Sequence, residues 1–547
     1  MKISVARLIV QFLKEIKVPY LFGLSGHSIF PITDAVYSEP NLRFVPVMHE
    51  LSAAYMAAAY AKGTRTVGAC TASAGAGVTN LLTGIAYAHK ESIPVIVLAA
   101  DVSRRYAGKG ASSWHEIPQR EMFEPITKIS GTLENADRAV DTLRRALSEA
   151  TTGRKGPVYI GIPRDIQEQE IEAPGSGWLT KVATIEEPAP AVLDQAAEEL
   201  QKASAPVIIA GGGIYWSRAE EELRELAELL SAPFGTTPSH KGLISEDHPL
   251  SLGVLGFGAF PFANSFCLDS DLIFAVGVTF SEGLTLGYGD KVIPTKANII
   301  QVDSDPRELG KIYPAHLPIL GDAKAALRGL IGQLRKGKVQ KENLSRLDKL
   351  KTEKSNWQEK IFAHAYEGQG PINQWHVYRA LKEAIGEDAI DAIVVGAGGT
   401  AELIRRFVAP SYVYHSGEMR AIGFGVSTAI GLSLAFPSRP VACVTGDGSF
   451  MLESQELATA AAFKLPISII VIRNDAYGNM KRDQIKHYGG RVIGTDLHLP
   501  DLSALAGSYG IEGKRVAEAE ALLPAVKRAL ALHKPILLDV VSPIEGI

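Results

Sequence analysis

A series of short apolar runs, each closing on glycine, aspartate or a turn and each set beside a helical pattern, constrains this chain more than any other feature. The runs are PVIVLAAD (94–101), PVYIGIP (157–163), PVIIAGGG (206–213), DLIFAVG (271–277), NIIQVD (298–303), AIVVGAGG (392–399), PVACVTGDG (440–448), PISIIVIRND (466–475) and PILLDVV (535–541). A strand that is apolar at successive positions must be buried on both faces, which is the condition of a parallel sheet covered by helices on either side. The expected fold class is therefore α/β, with doubly wound parallel sheets. Ligands in such sheets bind beyond the carboxyl ends of the strands, so chemistry is to be sought directly after these runs.

One hydrophobic core does not extend over 547 residues, and at roughly 150 residues per domain the length suggests three or four units. Two changes of composition mark breaks. The segment 166–191 is rich in Pro, Gly and Glu and lacks periodicity, which reads as a linker. The segment 335–360 is dense in charge and reads as a solvated helix followed by a connection through Gly368, Gly370 and Pro371. Three blocks result: 1–175, 190–335 and 365–547. The outer two end alike, with GRKGPVYIGIP and ALHKPILLDVV. Each places a basic residue and a proline before a last buried strand, hinting at two related domains around a different central one.

Lys and Arg total 56 against 60 Asp and Glu, so no basic excess exists to neutralise a phosphate backbone, and nucleic-acid binding is not expected. The 3 cysteines, Cys70, Cys267 and Cys443, form no C-x-x-C pair and read as small buried residues rather than disulfides or zinc ligands. Near the N-terminus Val5, Leu8, Ile9, Phe12 and Leu13 are interrupted by charged and polar residues at helical spacing, unlike a signal peptide. No run approaches the roughly 18 apolar residues of a membrane span. A cytoplasmic enzyme without a membrane partner is expected.

The strongest chemical signal is VTGDGSFMLESQELATAAAFKLPISIIVIRNDAYG (444–478). A buried strand leads into Gly446-Asp447-Gly448-Ser449 and then a helix, and a second strand ends at Asn474. Glycines before a helix let a phosphate approach the backbone, and the amides of the helix start favour negative charge. Asp447 and the Asn474 side-chain oxygen are hard ligands of the kind Mg²⁺ takes alongside diphosphate oxygens. A Gly-Asp-Gly alone is an ordinary turn; the strand–helix–strand and the following Asn474-Asp475 make it specific. Here the chain resembles the thiamine-diphosphate enzymes of the acetolactate synthase and pyruvate decarboxylase group. The resemblance implies that Asp447, Asn474 and the carbonyl of Ala476 hold the metal, with Gly446, Gly448 and Ser449 beside the diphosphate.

A second constellation is RFVPVMHELSAAYMAAAYAKGTRTVGACTASAGAGVTN (43–80). Glu50 follows an apolar strand and opens an Ala-rich helix, where a carboxylate also simply complements the helix dipole. The resemblance assigns it more: the family places its cofactor-activating Glu in a His-Glu pair before such a segment. Glu50 would hydrogen-bond the aminopyrimidine ring and favour its imino tautomer, through which the thiazolium C2 proton is lost. The family's Gly-Pro-Gly-x-x-Asn element reads Gly75-Ala76-Gly77-Val78-Thr79-Asn80, without its proline. That turn, with Ser73 and Ala74, is expected at the cofactor. Because Glu50 and Asp447 lie in different domains, the resemblance implies a homo-oligomer, at least a dimer, with the active site at the subunit interface.

Further expectations follow from the same resemblance. Gly398-Gly399-Thr400 matches the diphosphate-binding turn, so Gly399 and Thr400 are cofactor contacts. In SGEMRAIGFG (416–425) Ile422 takes the place of the apolar wedge beneath the bent cofactor, or else is a core residue, while Glu418 and Arg420 stand where smaller residues are usual. His27 and Ser28, His115, and the stretch 477–484 fall in loops over the reacting carbon, where histidines can relay protons; each reads equally as a solvated loop residue. Lys109, Lys481 and Arg482 could meet an anionic substrate but read more simply as surface cations.

VIIAGGGIYWSRAEEELRELAELL (207–230) reads as strand, glycine turn and helix without the full G-x-G-x-x-G fingerprint. Close packing and nucleotide binding explain those glycines equally, and FAD or an ADP-type nucleotide in the central domain stays open. VGVTFSEGLTLG (276–287) departs from the FAD-binding pattern of acetolactate synthases. The implied activity is a thiamine-diphosphate- and Mg²⁺-dependent carboligase or decarboxylase acting on small 2-oxo acids or aldehydes. The alternatives are a 2-hydroxyacyl-CoA lyase or oxalyl-CoA decarboxylase, and a non-catalytic nucleotide-binding regulatory subunit. Joint retention of Glu50, Asp447 and Asn474 argues against the last.

Overall fold

The computed structural model describes residues 1–175, 177–179, 187–337, 344–366, 371–386, 393–396 and 412–544. Each apolar run becomes a strand: Val95–Asp101, Val158–Pro163, Pro206–Ala210, Leu272–Val276, Asn298–Asp303, Ile393–Gly396, Val441–Gly446, Ile467–Arg473 and Ile536–Val541. They fall into three six-stranded sheets whose pairings are all parallel. Numbered along the chain within each sheet, the first and third share the order 2-1-3-4-6-5, whereas the middle one runs 3-2-1-4-5-6. The similar endings of the outer blocks therefore reflect one topology used twice.

Alternation along the strands explains why both faces are covered. Val95, Val97 and Ala99 pack with the helix Glu50–Thr64, while Ile96 and Leu98 pack with the helix Val5–Glu15 on the other side. In the third sheet Val441 and Cys443 face the same shared core as Val95, and Ala442 and Val444 face away. One apolar core thus joins the first and third domains. At its centre the helix Glu50–Thr64 lies on the helix Gly425–Ala435. Their approach is backbone to backbone: a Cβ added at Gly431 would stand 2.5 Å from the Met56 carbonyl oxygen. The alanines of the first helix, with Gly431 on the second, are what let two main chains come this close.

Edge strands escaped the sequence pattern. Ser130–Thr132, Leu317–Leu320 and Glu512–Val516 lie at sheet margins, where one neighbour is absent and exposed polar or alternating residues are tolerated. The stretch 166–191 is not wholly linker: Glu170–Glu172 pairs antiparallel with Lys2–Ser4. That strand comes from a partner far away in sequence, which no local periodicity could reveal. The charged segment forms the helix Leu344–Tyr366. All 3 cysteines are buried and unpaired, with burial pushing the Cys267 thiol up to about 12. Among the described residues no helix is long and apolar enough to cross a membrane.

Candidate active site

The first half of the site stands at the carboxyl end of the first sheet. His49, in extended conformation, caps the following helix by accepting the Leu51 amide on its ring nitrogen, and Glu50 occupies the first helical position. Its side chain is nearly buried, and Asn80 Nδ2 donates to its Oε2 at 2.9 Å. Gly77 approaches the other oxygen: a Cβ there would lie 2.9 Å from Glu50 Oε1. Any side chain at 77 would crowd that face of the carboxylate, so this glycine keeps it approachable although the family's neighbouring proline is absent.

Around this pair the structure gathers most of the first-domain candidates. Ser28 Oγ lies 2.7 Å from Ser73 Oγ and accepts the Ala74 amide at 3.0 Å. The His27 turn is thereby tied to the glycine turn. His115, with φ of 65°, packs on Gly75, whose added Cβ would meet His115 Cα at 3.0 Å. His27 and His115 are both exposed at the rim. Gln119 was not singled out by the sequence, yet its Oε1 accepts the Gly75 amide at 2.6 Å and its Nε2 donates to Ala100 O and Tyr159 Oη. A glutamine opening the short helix Gln119–Phe123 carries no pattern that distinguishes it; only its burial against Tyr159 does.

The second half stands at the carboxyl ends of two adjacent strands of the third sheet, which pair through Gly446 and Ile472. Asp447 is buried, and its Oδ2 accepts the amides of Asn474 (2.9 Å) and Asp475 (2.6 Å) while Oδ1 accepts that of Gly448 (2.7 Å). Asn474 Oδ1 accepts the Ala476 amide at 3.2 Å. The three expected metal-binding residues therefore converge. Burial pushes the Asp447 carboxyl up, with the backbone amides opposing it, and among the described residues no ion pair neutralises it. Space beside Gly446 is open, since an added Cβ there would meet no atom within 4 Å. A buried carboxylate lacking a cationic partner, next to an amide oxygen and open space, fits a divalent cation bridging to an anionic group.

Ser449 Oγ accepts the Gly423 amide at 3.0 Å, drawing the segment that carries Ile422 towards the Gly-Asp-Gly turn. Ile422 is 41% exposed and so is not a core residue. Glu418 and Arg420 hold that segment against the central domain: Ser281 Oγ donates to Glu418 at 2.8 Å, and the Arg420 guanidinium lies 4.2 Å from the centre of the Phe257 ring. Gly399 and Thr400 lie outside the described residues. Lys481 pairs with Asp496 at 2.6 Å, Arg482 donates to Asn479, and Lys109 is exposed. No described hydrogen bond or ion pair joins Glu50 to Asp447, Asn474 or Ala476 within the chain.

A cavity of 740 Å³ lies between the first and central domains at the carboxyl ends of the central sheet, lined by Arg154 and Lys155 from the first, Gly212, Asp303 and Asp322 from the central one and Glu418 from the third. Both Gly212 and Gly213 line the cavity and both are packed: an added Cβ would meet Gly277 Cα at 2.6 Å from Gly213 and the His240 ring at 3.1 Å from Gly212. Burial raises the Asp303 carboxyl to about 6.

Comparison with known proteins gives this geometry its context. Residues 3–125 match the N-terminal TPP binding domain of thiamine pyrophosphate enzymes, residues 193–330 the central domain, and residues 396–540 the C-terminal TPP binding domain. The chain is 34% identical to the probable acetolactate synthase large subunit of Methanocaldococcus jannaschii, over 99% of this chain and 92% of that one. It is 33% identical to the acetolactate synthase large subunit of Corynebacterium glutamicum (98% and 86%) and 30% identical to that of Haemophilus influenzae (98% and 94%). Fold and matches together define a thiamine-diphosphate-dependent enzyme that forms or cleaves carbon–carbon bonds. The chain belongs to the acetolactate synthase group of that family.

Proposed function

We propose that the protein is an acetolactate-synthase-like carboligase or decarboxylase of small 2-oxo acids, assembled as a homo-oligomer in which Glu50 of one subunit faces Asp447, Asn474 and the Ala476 carbonyl of another. In this reading residues 1–175 bind the aminopyrimidine, 190–335 form the central domain, and 365–547 hold Mg²⁺ and the diphosphate. The observation that carries it is the buried, unneutralised Asp447 carboxylate beside Asn474 and the open space at Gly446. Completion by a second copy is what the resemblance to this family implies.

When bound, thiamine diphosphate supplies a carbon nucleophile and an electron sink for cleavage of the bond beside a carbonyl. Asp447 and Asn474 offer oxygen ligands to the cation, and the amides at the start of the helix Asp447–Met451 face negative charge. Ile422, exposed and tethered through Gly423 to Ser449, offers an apolar support. Glu50 holds or gives up a proton at its carboxylate, with Asn80 fixing Oε2 and Gly77 leaving Oε1 approachable. His27 and His115, exposed beside the glycine turn, would pass protons to and from the reacting substrate.

The cavity between the first and central domains favours an ADP-type nucleotide, as part of FAD or of an acyl-CoA, because it opens on Gly212, Gly213 and Gly277, at the carboxyl ends of the two strands where the order of the central sheet reverses, and Arg154 and Lys155 line it. Flavin absorbance of the purified protein separates the two.

Calorimetry with thiamine diphosphate and Mg²⁺ tests the central assignment. Glu50→Ala is expected to bind the cofactor within a few-fold of wild type and to lose C2 proton exchange, with a rate drop of about 10²–10⁴-fold. Asp447→Ala is expected to abolish Mg²⁺-dependent binding. Unchanged exchange in Glu50→Ala would remove Glu50 from its role. Release of CO₂ from pyruvate, with or without a ligated product, distinguishes decarboxylation from carboligation.

A further inference from the structure

A buried carboxylate of the third domain sits under the residue pair that introduces Glu50. Glu456 is 0% exposed, and its Oε1 accepts the backbone amides of Met48 at 3.0 Å and His49 at 3.1 Å. Its Oε2 accepts from Thr459 Oγ1 at 2.8 Å, and the same hydroxyl stands 3.2 Å from the Pro46 carbonyl. Three residues earlier, Glu453 accepts the amides of Val426 and Ser427 at 2.9 and 2.8 Å. Those amides open the helix Gly425–Ala435, the partner of the Glu50 helix. Two carboxylates on the segment after Asp447 therefore hold the starts of both central helices.

A buried carboxylate is costly unless its oxygens are hydrogen-bonded, and here amides of another domain supply the bonds. We propose that Glu456 is a positioning residue for Glu50: by accepting the Met48 and His49 amides it fixes the backbone from which the Glu50 carboxylate projects. The contact is made by the chain's own third domain, whereas Glu50 is assigned above to a centre completed by another subunit. Glu456 thus ties the segment following one Asp447 to the acid that serves the neighbouring centre. This inference rests on the role proposed for Glu50.

The test uses the full-length protein and three substitutions. Glu456→Gln keeps Oε1 as an acceptor for both amides; Glu456→Asp keeps the charge but is one methylene too short; Glu456→Ala removes the group. Hydrogen exchange of the 48–49 amides is read in the unliganded protein, then cofactor affinity and C2 proton exchange with thiamine diphosphate and Mg²⁺. In the Asp and Ala variants the amides are expected to lose at least about tenfold protection. Affinity should stay within about threefold, and C2 exchange should fall by about ten- to a hundredfold, the scale of a 1 Å misplacement. The Gln variant should recover amide protection and exchange to within about threefold. If the Ala variant does not fold, the Asp and Gln pair decides alone. Wild-type C2 exchange in the Asp or Ala variant, or failure of Gln to restore it, overturns the proposal. Glu50→Ala runs alongside: full exchange there removes the role of Glu50 and the positioning with it. Loss of exchange there, with Glu456→Asp unaffected, removes the positioning alone.

Discussion

Substituting Gly431 by alanine probes the contact on which the joined core depends. The new methyl would stand 2.5 Å from the Met56 carbonyl oxygen and 2.9 Å from both Met56 Cα and Ala59 Cβ. Two of these neighbours are main chain and have no rotamer to yield, so the helices Glu50–Thr64 and Gly425–Ala435 must separate by most of an ångström. Overpacking of this kind costs typically about 1–3 kcal/mol, and a backbone clash belongs at the upper end. Alanine in place of a mid-helix glycine returns about 1 kcal/mol of helix propensity. The net expectation is a loss of about 2 kcal/mol. If the first and third domains unfold as units of roughly 150–250 residues, that is a fall of about 4–8 °C in the melting midpoint. Gly63→Ala is the internal control: its methyl would meet only side-chain atoms of Leu432, Phe436 and Ala435, at 3.0–3.3 Å. The ends of Leu432 and Phe436 can turn aside and the fixed Ala435 Cβ, at 3.3 Å, is crowded by only a few tenths of an ångström, so the propensity gain should nearly cancel the cost and the midpoint should move by no more than about 2 °C. Differential scanning fluorimetry of both variants at one scan rate makes the comparison. A midpoint that rises in Gly431→Ala would mean the helices are not in main-chain contact, and the reasoning would fall.

Two further outcomes are expected. Lys241 and Glu246 form a fully buried ion pair, so Glu246→Ala, which strands the ammonium, should cost about 3–5 kcal/mol, read as a lower urea midpoint, while Lys241→Met combined with Glu246→Leu should recover most of the loss. Burial raises the Glu453 carboxyl from 4.5 to about 7. Its protonated form therefore favours the folded state: the contribution is complete below pH 4.5 and is lost as pH rises through 7. The stability advantage of wild type over Glu453→Gln should accordingly shrink by up to about 3 kcal/mol between pH 5 and pH 8. An advantage that is constant over that range contradicts the assignment.

Much of this protein is legible in the one-dimensional string because its chemistry hangs on strand ends. The runs 94–101, 440–448 and 466–475 are apolar at most successive positions before their polar closing residues, so burial on two faces is expected from composition alone. A polar residue closing such a run is then placed at a carboxyl end, which is how the sequence pairs Asp447 with Asn474. The edge strands were less visible because a strand with one neighbour need not be apolar: EGKRV at 512–516 pairs on one side only.

The sequence by itself determined the class of fold, the repetition of one ending in the outer domains, and the candidate groups proposed to hold a cation or exchange a proton. Only the tertiary structure decided how those groups are held. That Gln119 grips the Gly75 amide, that Glu456 grips the amides before Glu50, and that Gly431 sets the distance between two helices are contacts between residues remote in sequence. Periodicity reports which face of an element is buried, because burial is a property of one element at a time. A hydrogen bond across domains depends on the relative placement of two elements, and no pattern within either one encodes it.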